Sequence, residues 1–411
     1  MEKVVAETNA VEARNAVIRN RGAAGIDRMT TEQLAGHLSE HWESIRGKLM
    51  AGTYVPAPVK RVEIPKTWGG VRLLGIPTVV DRWIQQMLLQ VLTPIFDPGF
   101  HPSSWGFRPG RSAHDAVRAA QGYVRKGKNW VVDMDITKFF DHVNHDILMG
   151  RIGKTIRDKR VLRLIGKYLR AGVMINDVVQ ETEEGTPQGG PLSPLLANIY
   201  LDALDRELEK RGLAFSRYAD DCNIYVGSER AAERIMKEMV EWIRTHLRLE
   251  VNATKSGVGR PWDRKFLGFR ITPEGEIGVS QQSLERLRTK VRELWNARQS
   301  ASSNDLRKSW REYIRGWWGY YQLATDRRKI FDLEGWIRRR IRCCFWQRWH
   351  GWQGRKRNLL KLGVKGRALR IAHSSKGAWR ISRSPALQRA LNNELLSRLG
   401  FLMPSGLAGK A

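Results

Sequence analysis

The chain has 411 residues, enough for two or three domains, and carries 71 Lys plus Arg against 42 Asp plus Glu, a formal net charge of +29. No stretch is apolar enough to span a bilayer, and the N-terminus "MEKVVAETNA" lacks the basic and apolar regions of a secretion signal, so a soluble, unexported, cytoplasmic protein is the expectation. A charge of this size exceeds what solubility needs and implies a polyanionic partner.

The excess is uneven. From Ser283 to Ala411 there are 30 basic and 8 acidic residues, so this stretch holds +22 of the +29. The three cysteines, Cys222, Cys343 and Cys344, offer neither a disulfide framework nor Cys-x-x-Cys zinc spacing, and read as reduced packing residues.

In chain order, residues 1–50 are helix-prone around a Gly-rich break, "NRGAAGIDRMT", where Asp27 or Thr30 is the expected cap of the following helix. Two apolar-alternating runs about a Gly-Gly turn in "VKRVEIPKTWGGVRLLGIP" predict a β-hairpin with basic residues near its tip. A helix over 83–95, the loop "DPGFHPSSWGFRPGRSAHDA" and a helix to Val124 follow. Next, "NWVVDMDITKFFDHVNHDIL" reads as an apolar strand running straight into a helix, and 147–180 reads as helical. A turn-rich loop, "ETEEGTPQGG", leads into an amphipathic helix. The stretch "FSRYADDCNIYVG" is a hairpin, a helix spans about 228–247, and the tail from Gln281 is helical and basic. The alternation of strand, helix and hairpin predicts an α+β fold.

Period-two alternation puts Asp133 and Asp135 on one face of their strand, and Asp220 and Asp221 occupy the hairpin turn. Read alone, an Asp-Asp turn is a solvated corner. Together with a strand-end carboxylate it supplies oxygen ligands for two divalent cations of the kind that serve phosphoryl transfer. His142 and His145, beside Asp141 and Asp146, read as surface or packing residues rather than a metal site.

The ordered segments "VDMDITKFFD", "GTPQGGPLSPLLANIYL", "YADD" and "KFLGF" resemble motifs A, B, C and E of a reverse transcriptase palm. With "IPKTWGGVRLLGIPTVVDR" and "SSWGFRPGRSAHDAV" upstream, nearly the whole chain resembles bacterial group II intron-encoded reverse transcriptase/maturases. No His-Asn-His endonuclease pattern follows Gly363, which points to the endonuclease-lacking, group IIC-like branch.

The resemblance implies a right-hand polymerase. An N-terminal extension covers 1–50, fingers and palm 51–282, an α-helical thumb or maturase domain 283–360, and a basic DNA-binding segment 361–411. Its metal triad falls on Asp135, Asp220 and Asp221, with the Ile136 carbonyl as a further ligand to two Mg²⁺, or Mn²⁺, ions. Asp133 is then structural, because motif A sets an aromatic residue five positions after the ligand, here Phe140. Phe140 excludes a 2′-hydroxyl, Lys66 and Arg72 grip the triphosphate, Gln188 lies near the sugar, and Lys255 is the candidate general acid. In the tail, Leu333, Trp336, Ile337 and Ile341 recur at helical spacing and leave Arg338, Arg339, Arg340 and Arg342 for nucleic acid, with exposed aromatics available to stack on bases. Implied partners are intron RNA, an RNA template with its DNA primer, target DNA and dNTPs, without a membrane. An RNA-binding maturase with little polymerase activity, or another reverse transcriptase lineage, is the alternative.

Overall fold

The computed structural model describes residues 1–65, 71–175, 178–180, 184–185 and 189–409. They divide into two compact units, Met1–Arg260 and Pro261–Ala411. The division falls ahead of the 282/283 boundary read from sequence, because the short strands after Arg260 share a core with the helices that follow them: Val279 packs with Leu284 and Leu287.

The first unit opens with α1 (Glu7–Asn20) and α2 (Leu34–Ala51). Neither Asp27 nor Thr30 caps α2. Asp27 accepts from Met29 N in its own turn, and Gln33, without a side-chain cap bond, is the N-cap residue. The expected hairpin is present as β1 (Val59–Pro65) and β2 (Val71–Ile76), antiparallel and closing at Pro65 opposite Val71. Then come α3 (Val79–Phe96) and α4 (Ala113–Arg125), capped by Thr78 and by a Ser112–Asp115 capping box.

Asp81, in the first turn of α3, ties three segments together. Its buried carboxylate accepts from Tyr54 Oη (2.8 Å), Tyr168 Oη (3.1 Å), Thr78 Oγ1 (2.7 Å) and Ala57 N (3.1 Å). Burial raises its pKa, and these four donors oppose that rise by favouring the ionised form.

Strand β3 (Trp130–Asp135) does not run straight into a helix. Lys138 adopts a left-handed conformation (φ +42°) and Phe139–Asp141 form a 3₁₀ turn before α5 (His145–Thr155) begins, capped by Asn144. The stretch read as helical to 180 stops earlier, in α6 (Lys159–Leu169). Gly172 at φ +74° turns the chain, and the β-branched run after it forms β4 (Val173–Ile175) and β5 (Val178–Gln180). These join the hairpin in a sheet of order β2-β1-β4-β5.

Helix α7 (Ser193–Lys210), strands β6 (Ala214–Tyr218) and β7 (Asp221–Val226), helix α8 (Glu229–Leu247) and strand β8 (Gly257–Gly259) complete the unit. The second sheet is fully antiparallel, in order β6-β7-β3-β8, and α4, α7 and α8 pack on it. Its apolar side, with Val132, Met134 and Ile224, enters the main core, while the strand ends carry the aspartates.

The second unit starts with β9 (Phe269–Ile271) paired to β10 (Ile277–Val279). Helices α9 (Gln281–Leu294), α10 (Ser303–Tyr321), α11 (Arg328–Arg348) and α12 (Gly351–Lys361) follow, then a 3₁₀ segment and four short helices. Trp295, Trp310, Trp317, Trp318 and Trp346 fill this core, so most tail tryptophans are packing residues; Trp352 and Trp379 are exposed. All three cysteines are free and buried.

Candidate active site

Antiparallel register places Asp135, the last residue of β3, directly opposite Asp221, the first of β7. Opposed residues of an antiparallel pair project to the same face with Cβ atoms about 5 Å apart. Asp220 lies one residue away in the turn that joins Tyr218 to Asp221. Asp133 sits two positions deeper, opposite Asn223, whose amide nitrogen, turned toward β3, lies 3.0 Å from Asp133 Oδ1. That bond ties Asp133 into the sheet.

The end of β3 is held by the segment before β8. Asn252 N donates to Asp135 O (2.8 Å), Asp135 N donates to Ser256 Oγ (2.9 Å), and Thr137 N donates to Glu250 O (2.8 Å). These bonds leave Ile136 buried between two anchored neighbours. They also deliver Lys255, whose ammonium donates to Asp135 Oδ2 at 3.2 Å. Among the described residues, no three His, Cys, Asp or Glu side chains converge closely enough to hold an ion as they stand. The residue types nevertheless fit a hard divalent cation: Asp135 and Asp221 oppose one another across the strand pair, Asp220 lies in the adjoining turn, and carboxylate oxygens are the donors such an ion takes.

Phe140 is carried on the 3₁₀ turn, packed edge-on against Phe139 with ring centroids 5.1 Å apart, rather than on an amphipathic helix. It shares a cleft with Leu74 of β2, Asn20, Arg82, Gly189 and Gly190. Gly189 needs to be glycine: its φ is +134°, and a Cβ there would lie 2.4 Å from the Gly75 carbonyl oxygen. Lys66 and Gln188 lie outside the described residues, and Arg72 is placed only as a backbone position on β2, opposite Ile64. His142 pairs with Glu184 (2.9 Å) and the buried His145 bonds Gly185 O (2.6 Å), so both fasten the Glu184–Gly185 segment.

Residues 64–271 match the family model described as reverse transcriptase (RNA-dependent DNA polymerase), and residues 284–363 match the group II intron, maturase-specific domain. The chain belongs to the reverse transcriptase family. It is an RNA-directed DNA polymerase joined to a maturase-specific region. It is 32% identical over 302 residues to Protein YkfC of Escherichia coli (strain K12), covering 63% of this chain and 79% of YkfC. To the group II intron-encoded protein LtrA of Lactococcus lactis subsp. cremoris it is 42% identical over 183 residues, which is 44% of this chain and 30% of LtrA. Against the solved "Partial Cas6-RT-Cas1--Cas2 complex" it shows 26% identity over 59% of this chain and 42% of that chain, with a TM-score of 0.37.

In the maturase-specific region of this reverse transcriptase, the four arginines of α11 differ in what they touch. Arg342 is buried, with Nε donating to Leu391 O (2.8 Å) and Nη2 to Asn393 Oδ1 (2.9 Å), so it links helices instead of facing a phosphate. Arg338 pairs with Glu334 at 2.8 Å. Arg339 lies 3.6 Å from the centroid of Trp379, and Arg340 lies within 6.0 Å of both Trp336 and Trp379. A groove beside Trp336 is lined by Arg288, Arg292 and Lys329, cations the sequence reading did not single out. It also passed over Arg217 and Asp205, a fully buried ion pair behind the Asp220 turn. The available signal was a cation inside the apolar strand leading to Tyr218.

Proposed function

We propose that Asp135, Asp220 and Asp221 hold two divalent cations, Mg²⁺ or Mn²⁺, and that this site extends a DNA primer on an RNA template from dNTPs. The observation that carries the reading is the strand register that puts Asp135 opposite Asp221 with Asp220 in the adjoining turn. When bound, such cations lower the pKa of a 3′-hydroxyl and neutralise developing phosphate charge. The chain's own residues bind and orient. The three carboxylates, with the Ile136 carbonyl, supply the ligands. The Lys255 ammonium balances Asp135 and holds a proton that the leaving pyrophosphate can take. Phe140 walls the cleft where the sugar would lie, and Lys66, Arg72 and Gln188 grip the nucleotide.

The same reading assigns 1–50 as an extension, 51–282 as fingers and palm, 283–360 as thumb and maturase region, and 361–411 as a basic DNA-binding segment. The Arg288, Arg292, Lys329 and Arg340 cations would track phosphates of intron RNA and of the template–primer duplex, serving splicing, and of target DNA during retromobility. No described helix is long and apolar enough to cross a membrane. The bacterial sources of YkfC and LtrA support a bacterial cytoplasmic setting. Primer extension on an RNA template with dNTPs and Mg²⁺, run beside a splicing assay on the flanking intron, tests the reading. Extension that needs Mg²⁺ supports it; splicing without extension would leave an RNA-binding maturase.

A further inference from the structure

Arg217 stands on β6, immediately before Tyr218, and its side chain and that of Asp205 on α7 are both 0% exposed. A guanidinium has five N–H donors, and all five are used. Nε and Nη2 donate to the two Asp205 oxygens, each at 2.6 Å. Nη2 also donates to Ser104 Oγ (2.7 Å), and Nη1 donates to Asn198 Oδ1 (3.2 Å) and to the Ala219 carbonyl oxygen (2.9 Å).

The last bond reaches the residue before Asp220. Ala219 has φ +56°, a conformation that costs an alanine and that a turn keeps only where its surroundings impose it. Two further contacts impose it here. Asn198 Nδ2 donates to Gly106 O at 2.9 Å, and Gly106 is seated so closely that a Cβ on it would lie 2.4 Å from Ala219 N. The backbone on either side of Ser104 is tied to β6 as well, through Arg217 N to Ser103 O and Trp105 N to Arg217 O, both 2.9 Å.

A fully buried ion pair recovers little net stability over apolar residues of the same size, because both charges lose their water. What this pair supplies that apolar residues cannot is a donor of fixed direction on the Ala219 carbonyl. We propose that Arg217 is a positioning residue of the polymerase site: with Asp205 it fixes the Ala219 peptide and so the place of the Asp220 carboxylate. The inference rests on the reading of Asp220 as a reacting-site ligand. It adds that α7, the Ser104 loop and the hairpin are set as one unit.

The test compares Arg217→Lys, which keeps the charge and loses the fork, with the apolar pair Arg217→Met/Asp205→Leu. Asp81→Asn serves as a control, a buried carboxylate change that does not touch the hairpin. For each, melting temperature, kcat and KM for dNTP, and the Mg²⁺ concentration at half-maximal rate are measured on the full chain with its template and primer. A displacement near 1 Å at a reacting group lowers rate about 100-fold, so both Arg217 variants are expected to lose kcat on that scale. Their dNTP KM should stay near the parent value and their Mg²⁺ requirement should rise. The control should lose melting temperature and keep the parent's Mg²⁺ requirement.

Parent-like kcat and Mg²⁺ requirement in a folded Arg217 variant would overturn the proposal, as would a control whose kcat and Mg²⁺ requirement shift as much at equal loss of melting temperature. Where both Arg217 variants fail to fold, Asn198→Ala, which keeps the ion pair and frees Gly106, is held to the same two outcomes. Asp220→Asn, run alongside, separates the failures: full activity in that variant removes the metal reading itself, whereas its inactivity beside an active Arg217→Lys removes only the positioning role.

Discussion

The Lys255 ammonium lies 3.2 Å from Asp135 Oδ2, at the strand end where register sets Asp221 opposite Asp135. A cation entering between these carboxylates competes with the lysine for Asp135. Lys255→Ala therefore has two opposite expected effects. The Mg²⁺ concentration at half-maximal rate should fall, because the competitor is gone, and, if Lys255 is the proton donor proposed, kcat should fall by about 100-fold or more. Folding stability moves by less than about 1 kcal/mol, since the Lys255 side chain is 62% exposed. Mg²⁺ titrations of primer extension on parent and variant check both; an increased Mg²⁺ requirement would show that Lys255 supports cation binding.

Phe140 and Gly189 line one cleft with Leu74 of β2, and among the described residues Phe107 is the other aromatic ring lining it. Truncating the ring in Phe140→Ala opens space for a 2′-hydroxyl without touching any of the three aspartates. Ribonucleotide incorporation should rise relative to dNTP use, read by single-nucleotide extension with matched rNTP and dNTP. Undiminished exclusion of rNTPs would move the sugar gate to another residue.

The parts of this molecule that were legible in sequence are those whose signal is local. The Tyr218–Asp221 hairpin carries its own turn residues and β1 and β2 their alternating apolar runs, while α4 was legible as a helix to Val124 without its Ser112–Asp115 cap. The break at Lys138 was not legible, because a positive φ at a lysine leaves no mark in composition. The strands after Gly172 were missed because three-residue runs are too short to show a period. Within the site, Asp135 and Asp221 were legible as residue types, but the register that opposes them was not. Arg342 read as surface because its burial depends on Leu391 and Asn393, some fifty residues downstream.

The cationic groove of the second unit predicts a salt signature. Removing all of 283–411 would destroy the core that Val279 shares with Leu284, so point changes are the cleaner test. Arg292→Gln and Lys329→Gln, both lining the groove beside Trp336, should each weaken RNA binding and flatten the log K against log salt slope by about 1. Fluorescence anisotropy with intron RNA across a salt series measures it, and unchanged slopes would move the phosphate contacts to other cations.

Asp158 caps α6, accepting from Arg160 N at 2.8 Å and Val161 N at 3.3 Å, and the Arg160 guanidinium beside it holds its carboxyl well below the usual carboxylate range. A folded pKa below the unfolded one means a stabilising contribution that is complete above about pH 4 and is lost as pH falls through the folded value. Asparagine keeps the cap and removes the charge. Asp158→Asn should cost less than about 1 kcal/mol at neutral pH, and the gap from the parent should close as urea unfolding is repeated at decreasing pH below about 4. A gap independent of pH would assign the cost to packing.

The aspartates of the hairpin turn allow polymerisation to be separated from splicing. Asp220→Asn and Asp221→Asn preserve side-chain size and turn propensity and each remove one negative charge from the site opposite Asp135. On the two-cation proposal, phosphoryl transfer depends on cations those charges would hold, so cDNA synthesis should drop by orders of magnitude in both variants. On the proposed reading, RNA binding depends instead on cations such as Arg288, Arg292 and Lys329, which line a groove on other elements of the chain. Spliced product should therefore persist at parent levels when both activities are measured on the same preparations. Robust cDNA from both variants would remove the two-cation assignment. Equal loss of cDNA and spliced product, with a lowered melting temperature, would make the pair a structural element of the hairpin.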